Sequence, residues 1–281
     1  MKRILISFLA STFAVFSFSQ ELVPQFNKTV NFLYVAGVNE FLPQGTGFLV
    51  SVPAKTQGGN YIYLVTAKHV LFNSDKKPLN TIFARFNTKD SSEMFNVPLI
   101  WEGPKKSVHV HSDQSVDLAV IPIVVPQNLE YRYIGMGQII SRKDFDSLKV
   151  NVGTEVFFTG LFTSYIGTKK INPIFRFGRL SLLPEERIYF EGIERNLLLI
   201  ESSSYGGNSG SPVIFQYTSG NTRFVSLGGV IFGSFNQGQI LAKANNKDVV
   251  AWSSLGISAI TPSEYILDIL NTPELSNRRT Q

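Results

Sequence analysis

The sequence predicts an all-β protein with two six-stranded antiparallel β-barrels and a C-terminal α-helix. Short runs rich in Val, Ile, Phe and Tyr recur along the chain, and several alternate apolar with polar side chains, as strands do. Turn-forming residues separate these runs, and a connector at 125–150 divides them into two sets. A length of 281 residues suits two packed barrels better than one sandwich.

The strands are expected in two sets, in chain order. The first set of predicted strands occupies residues 29–37, 45–52, 61–66, 81–86, 95–101, 108–111 and 116–124. A short helix is expected at 141–148, within the connector. The second set of strands occupies residues 155–160, 174–182, 197–201, 211–217, 224–231 and 249–260. We therefore expect the N-terminal barrel in residues 20–135 and the C-terminal barrel in residues 136–281.

The last predicted element is a helix. Residues 261–264 (TPSE) match a capping box with proline at the first helical position. Apolar residues at 265–270 then recur with helical spacing, and the helix is expected to end near residues 271–273 (NTP). Such a stripe is typical of a helix that packs on a barrel.

The N-terminus has the pattern of a secretory signal peptide. Two basic residues precede an apolar run at 4–18, and the small residues Ser17 and Ser19 precede a predicted cut before Gln20. We expect residues 1–19 to be removed, which leaves no integral membrane anchor. The protein is then exported and lies in the periplasm or outside the cell.

Composition excludes several classes of function. The formal net charge is +5, but basic residues form only short pairs, whereas nucleic-acid binding needs them concentrated on one face. The chain contains no cysteine, which excludes thiol catalysis, cysteine metal sites and disulfides. His109 and His111 alternate along a predicted strand, but the sequence offers no third ligand beside them. We predict no metal site and no cofactor.

The most informative stretch is residues 203–213 (SSYGGNSGSPV). Ser209 lies in a glycine-rich loop that can hold a nucleophilic hydroxyl beside backbone N–H groups unshielded by side chains. The same pattern also fits a plain tight turn. The loop alone therefore leaves both interpretations open.

Two upstream residues fit the chemistry of a nucleophilic serine. His69 follows directly on an apolar strand, where a rigid strand end can place a general base in a cleft. Asp117 opens an apolar run, and a carboxylate buried there needs a partner. A histidine satisfied at a strand end and an aspartate that caps a turn are the structural alternatives. Asp113, in a more polar loop, is the rival orienting acid.

Four motifs in this order resemble those of the chymotrypsin-like (trypsin-fold) serine proteases, and most closely the bacterial glutamyl-endopeptidase-like and HtrA-like branch. The motifs are GTGFLV at 45–50, TAKHV at 66–70, DLAV at 117–120 and GGNSGSPV at 206–213. The resemblance implies an exported serine endopeptidase that cleaves proteins or peptides through an acyl-enzyme.

The resemblance also implies a role for each residue of the site. Ser209 would be the nucleophile, His69 the general base and Asp117 its orienting acid. The N–H groups of Gly207 and Ser209 would form the oxyanion hole. Asn208 stands where the trypsin branch has an aspartate that pairs with a freshly cut N-terminus, so we expect no such ion pair and no further activating cut.

The substrate pocket is less readable from the sequence. By resemblance, Ser203 and Ser204 would line its wall, and the segment Phe232, Gly233 and Ser234 would pair with the substrate backbone. The glutamyl-specific relatives use a histidine where this chain has Ile231. No acidic residue faces a basic side chain there unless Glu201 moves in, so we expect an uncharged residue at the cleaved bond.

Four alternatives compete with this assignment. A catalytically silent binding or chaperone-like module of the same fold would have lost one of the three catalytic residues, and all three are present. A quality-control protease of the HtrA type would carry a following peptide-binding PDZ domain, which we do not expect here. A pore or adhesin has no support beyond export and β content.

The nucleophile elbow of the α/β-hydrolases is a different way to activate a serine, and it is disfavoured here, because its serine precedes the acid and the histidine in the chain. The oligomeric state stays open.

Overall fold

The computed structural model describes residues 24–37, 40–55, 58–73, 75, 77–79, 81–90, 93–99, 107–219, 221–244 and 247–280. The predicted signal peptide, residues 1–19, lies outside these residues. Within the described part of the chain, no helix is long and apolar enough to cross a membrane.

The N-terminal part of the chain forms one mainly antiparallel sheet with six strands of four residues or more. They are β1 (Val30–Ala36), β2 (Phe41–Pro53), β3 (Asn60–Thr66), β4 (Ile82–Thr88), β5 (Met94–Leu99) and β7 (Ala119–Pro122). Three strands of two residues complete it, namely β6 (His109–Val110), β8 (Leu129–Glu130) and β9 (Ile134–Gly135). The order is β5-β4-β1-β2-β3-β7-β6, with β8 beside β4 and β9 beside β2. The sheet thus has nine strands rather than six. β6 lies within the run predicted at 108–111, whereas β8 and β9 are too short to show alternation.

The C-terminal part forms a closed six-stranded barrel, as the sequence predicts. Its strands, in barrel order, are β10 (Glu155–Gly160), β11 (Ile174–Leu182), β14 (Leu198–Glu201), β17 (Lys247–Pro262), β16 (Thr222–Ala244) and β15 (Pro212–Ser219). β16 and β17 are longer than predicted and stay paired beyond the barrel, out to Ala244 opposite Lys247. A separate hairpin of β12 (Ile188–Phe190) and β13 (Ile193–Arg195) lies before β14, and the sequence analysis did not predict it.

The helices are short. α1 (Phe145–Leu148) lies where the sequence predicts a helix, and α2 (Glu264–Leu270) and α3 (Pro273–Arg278) lie at the C-terminus. One expectation about this end was wrong. Thr261 and Pro262 belong to β17, so the helix begins at Glu264. The helix ends at Leu270, next to the predicted end near 271–273, and Pro273 begins a second helix, because proline fits the first turn, where its missing N–H has no partner to lose.

One apolar core joins the two parts. It contains Phe48 and Val65 of the N-terminal sheet, Phe157 and Ile214 of the barrel, and Ile266 of α2, all of them at most 1% exposed. Burial of this shared core holds the facing surfaces of sheet and barrel in a fixed relation. The domain boundary at residue 135 stays a prediction.

Candidate active site

Strand pairing brings His69 and Asp117 together. β3 and β7 are antiparallel, and Thr66 lies opposite Ala119, so the end of β3 lies beside the start of β7. A 3-10 turn at Lys68–Leu71 carries His69 just past the end of β3. His69 donates two hydrogen bonds to the carboxylate, from Nδ1 to Oδ2 (2.5 Å) and from the backbone N–H to Oδ1 (2.9 Å). Both carboxylate oxygens of Asp117 are therefore used to fix the position of His69.

The two side chains differ in solvent access. Asp117 is 5% exposed, whereas 45% of the His69 side chain is exposed in the cleft between sheet and barrel. Burial lowers the pKa of His69, but the hydrogen bond and charge of Asp117, together with the charge of Glu191, outweigh it and raise the pKa above its ordinary value. Arg195 acts in the opposite direction. His69 is thus a stabilised proton acceptor.

Asp113, the rival acid, is bound within its own loop. Its Oδ1 accepts hydrogen bonds from the Ser115 hydroxyl (2.7 Å) and backbone N–H (2.9 Å), and Oδ2 accepts one from Arg187 (2.9 Å). The two bonds from Ser115 and the Arg187 guanidinium lower the pKa of Asp113 to about 2. The structure places Asp117, and not Asp113, against His69.

The loop that carries Ser209 is held by buried hydrogen bonds. Asn208 is 1% exposed, and its amide accepts from Tyr205 N (2.9 Å) and donates to Leu161 O (2.7 Å). Thr46 of β2 donates its hydroxyl to Gly207 O (2.8 Å), and its backbone N–H donates to Ser209 O (2.9 Å). The N-terminal sheet and the barrel therefore hold the loop between them.

Glycine is required at two places in this loop. Gly207 and Gly210 have φ angles of +94° and +85°, a region that residues with a side chain rarely adopt. A β-carbon on Gly210 would also lie 2.0 Å from Thr46 O. The glycines let the loop turn back sharply onto β2.

The backbone N–H groups of Gly207 and Ser209 are oriented by their neighbouring carbonyls. In a trans peptide the N–H points away from the C=O of the same unit. Gly206 O accepts from Thr163 Oγ1 (3.4 Å), and Asn208 O accepts from Ser211 N (2.9 Å). Among the described residues, neither N–H is donated to a protein acceptor. Both are available to a ligand.

Ser209 lies in the same cleft as His69. Its hydroxyl donates to Phe232 O (3.4 Å), and within the described residues no hydrogen bond joins it to His69. The His69 ring packs edge-on against the Phe232 ring, with centroids 5.8 Å apart. Phe232 therefore contacts both groups.

Small hydroxyl side chains cluster near Gly233. Ser204, 4% exposed, donates to Gly233 O (3.4 Å), and Ser203 is half-buried beside it. Ser234 lies opposite Ser258 across β16 and β17, so their side chains share one face. Ser203, Ser204 and Ser234 are the serines that the sequence predicts for the substrate pocket, and Ser258 joins this cluster.

Ser258 was missed by the sequence analysis. It is fully buried, donates to Ser202 O (2.6 Å), and lies 2.8 Å from the Ser204 hydroxyl. No local signal marks it, because the register between two distant strands places it there. Glu201 is exposed on β14.

The remaining histidines contact the C-terminal helices. His109 Nδ1 is 3.5 Å from Glu274 Oε2, and His111 Nε2 is 3.7 Å from Asp268 Oδ2. These contacts attach α2 and α3 to β6. Across the residues that the structure describes, no group of three or more His, Cys, Asp or Glu side chains is placed to hold a metal ion.

Comparison with known proteins supports the fold. No family model matches this sequence, and no curated protein matches it. Among solved structures, the apo form of the MamO protease domain from Magnetospirillum magneticum is similar, with a TM-score of 0.54 and 16% identity. The match covers 89% of this chain and 100% of that domain.

This chain has the trypsin-like fold. The similarity therefore confirms the fold class. At 16% sequence identity, it supports the fold and nothing about activity. The assignment to the glutamyl-endopeptidase-like or HtrA-like branch stays a prediction.

Proposed function

We propose that the protein is an exported serine endopeptidase with Ser209 as nucleophile, His69 as general base and Asp117 as orienting acid. The observation that carries the proposal is the pair of hydrogen bonds by which the buried Asp117 carboxylate holds His69 in the cleft. A carboxylate on Nδ1 leaves Nε2 unprotonated and ready to accept a proton.

The reaction would follow the acyl-enzyme route. Ser209 Oγ attacks the scissile carbonyl carbon while its proton passes to His69 Nε2, and the carbonyl oxygen becomes an oxyanion. The N–H groups of Gly207 and Ser209 would stabilise that charge. His69 then protonates the leaving amine as the C–N bond breaks. Water attacks the acyl ester with His69 as base, which releases the acid and restores Ser209.

The hydrogen bond between Ser209 and Phe232 suggests that substrate binding completes the catalytic arrangement. The substrate backbone would pair with Phe232–Ser234 and donate an N–H to Phe232 O, the acceptor that the Ser209 hydroxyl now uses. The displaced hydroxyl would then turn to His69. Catalytic hydrogen bonds commonly tighten only when substrate is bound.

The specificity pocket favours an uncharged, small or polar residue on the acyl side of the cleaved bond. Ser203, Ser204, Ser234 and Ser258 contribute hydroxyl groups, and a buried charge without an opposite partner would be unfavourable among them. A neutral side chain that hydrogen-bonds to a serine is the best match.

Maturation would need only removal of the signal peptide. The Asn208 amide already has partners in Tyr205 N and Leu161 O, so the loop is anchored without a new N-terminal ammonium group. We expect the protein that starts at Gln20 to be active without further cleavage. We expect to find it in the periplasm or the medium.

The alternative function is a catalytically silent binding or chaperone-like module. The observation that favours it is the hydrogen bond of Ser209 to Phe232 O in place of one to His69. Such a module would bind extended polypeptides along β16 without cleaving them.

Labelling with a fluorophosphonate probe distinguishes the two functions. The probe reacts with activated serines, so the mature protein should be labelled, and Ser209→Ala should not. Ser147→Ala, which removes an exposed hydroxyl on α1, is the matched control and should label like the wild type. Failure of the wild type to label, or persistence of labelling in Ser209→Ala, would exclude the serine protease.

A further inference from the structure

The β12–β13 hairpin places a carboxylate over the cleft. Glu191 and Gly192 form its two-residue turn with φ angles of +49° and +84°, and Phe190 lies opposite Ile193. Two successive positive φ angles are typical of the tight hairpin turn that matches strand twist. A residue with a side chain rarely adopts such an angle, because it is conformationally unfavourable. Packing of the hairpin must therefore compensate for the backbone strain at Glu191.

Contacts on both sides of the cleft hold this hairpin. The Phe190 ring packs against Phe232 (5.3 Å between centroids) and Phe235 (4.6 Å). The Arg195 guanidinium lies 4.5 Å above the Phe232 ring and donates to Ser115 O (2.7 Å), two residues before Asp117. The hairpin therefore bridges barrel and N-terminal sheet, and its tip is preorganised.

The Glu191 carboxylate lies beside the strand that would bind substrate. Its Oε1 is 4.0 Å from the point that a β-carbon on Gly233 would occupy, and the Phe190 ring is 3.4 Å from the same point. Its charge also acts on His69. Glu191 is exposed, and within the described part of the chain it makes no hydrogen bond or ion pair.

Strand pairing decides which substrate residue meets this carboxylate. In an antiparallel pair, residues directly opposite each other have their side chains on the same face. If the residue on the acyl side of the cleaved bond lies opposite Phe232, the next residue upstream lies opposite Gly233. Its side chain then points to the face where Gly233 has no side chain and where Phe190 and Glu191 lie.

We propose that Glu191 and Phe190 form a subsite for a lysine or arginine side chain at this second position upstream of the cleaved bond. The inference rests on the proposed function, because it uses the same substrate strand. The aliphatic stem would lie on the Phe190 ring and the cationic end would reach the Glu191 carboxylate.

The other charges around the subsite are already engaged. Arg195 is bound to Ser115 O, to Phe190 O (3.3 Å) and to the face of Phe232. Asp117 is occupied by His69, and Asp113 by Arg187. The positive charge of Arg195 repels a cationic substrate side chain, and this repulsion limits the preference for lysine or arginine that Glu191 can give. Glu191 is the carboxylate among these groups that is left for a substrate.

Fluorogenic peptides that differ only at the second upstream position test the subsite. We expect kcat/KM to be about two- to fivefold higher for lysine than for norleucine, the range for an exposed ion pair, and lowest for glutamate. The preference should fall as salt is added. Glu191→Gln should abolish it, and Glu191→Lys should reverse it toward glutamate.

Glu194→Gln is the matched control, because Glu194 is an exposed glutamate of the same hairpin that lies opposite Tyr189, away from the tip. It should keep the wild-type preference. If Glu191→Gln cleaves the peptides with an unchanged preference for lysine, the subsite is excluded and the protease stands.

Peptide binding to Ser209→Ala keeps the subsite testable if the chain proves inactive. Binding is measured by fluorescence anisotropy with the same labelled peptides. The lysine peptide should bind more tightly than the others to Ser209→Ala, and this preference should be lost in Ser209→Ala/Glu191→Gln. That result supports the subsite even if the wild type cleaves no peptide. In that case only the proposed protease activity is wrong. Equal binding of lysine, norleucine and glutamate peptides overturns the subsite, as does absence of binding to any of them.

Discussion

The buried Asp117 carboxylate binds His69 at two points, the ring Nδ1 at 2.5 Å and the backbone N–H at 2.9 Å. One bond orients the imidazole and the other fixes the chain that carries it. The ring therefore has a defined position at the end of β3 and presents its other nitrogen to the cleft.

Asp117→Asn should reduce kcat/KM for peptide cleavage by about a thousandfold or more, because an amide no longer favours the required histidine tautomer or stabilises its charged form. The measurement is steady-state hydrolysis of a peptide substrate, with thermal unfolding as a check on folding. Asp113→Asn is the matched control and should stay within a few-fold of wild type. A larger loss of kcat/KM for Asp113→Asn than for Asp117→Asn would show that Asp113 is the orienting acid, and would contradict the assignment of Asp117.

The pH dependence of cleavage should reflect the raised pKa of His69. A general base acts only when unprotonated, so kcat/KM should fall as the pH drops through a midpoint above the ordinary histidine value of 6.5. Glu191→Gln removes a charge that raises this pKa, and should move the midpoint to lower pH. A midpoint that shifts upward in Glu191→Gln would contradict the electrostatic assignment.

Asn208→Ala should destabilise the protein by about 1–3 kcal/mol and reduce cleavage, because Leu161 O and Tyr205 N lose their partner in a buried site. Urea unfolding measures the first effect and peptide hydrolysis the second. Unchanged stability together with full activity would show that the loop is anchored elsewhere.

Gly210→Ala should destabilise the protein by about 2 kcal/mol or more, because it combines a positive φ with a β-carbon 2.0 Å from Thr46 O. Gly206→Ala is the comparison within the same loop. A β-carbon there has no neighbour within 4 Å, so its effect on the midpoint of unfolding should be small. Similar losses in the two variants would contradict this account.

Much of the site could be predicted from the sequence because its signals are local. His69 follows its strand directly, and the glycines around Ser209 mark a loop that only glycine can form. Asp117 was distinguishable from Asp113 by the apolar run that follows it. The two-residue strands β8 and β9 were missed and the start of α2 was misplaced, since pairing with distant segments overrides local preference at such boundaries.

The sequence by itself determined most of the strand pattern and the glycine-rich loop around Ser209, and it predicted Ser209, His69 and Asp117 as a catalytic set, since periodicity and loop chemistry are properties of contiguous residues. Tertiary structure alone decided that Ser258 lies beside Ser204 and that Glu191 lies beside Gly233. Both positions depend on the register and packing of segments far apart in the chain. The hairpin strands of three residues are too short for alternation to identify, and their place over the cleft comes from the packing of Phe190 and Arg195 on Phe232.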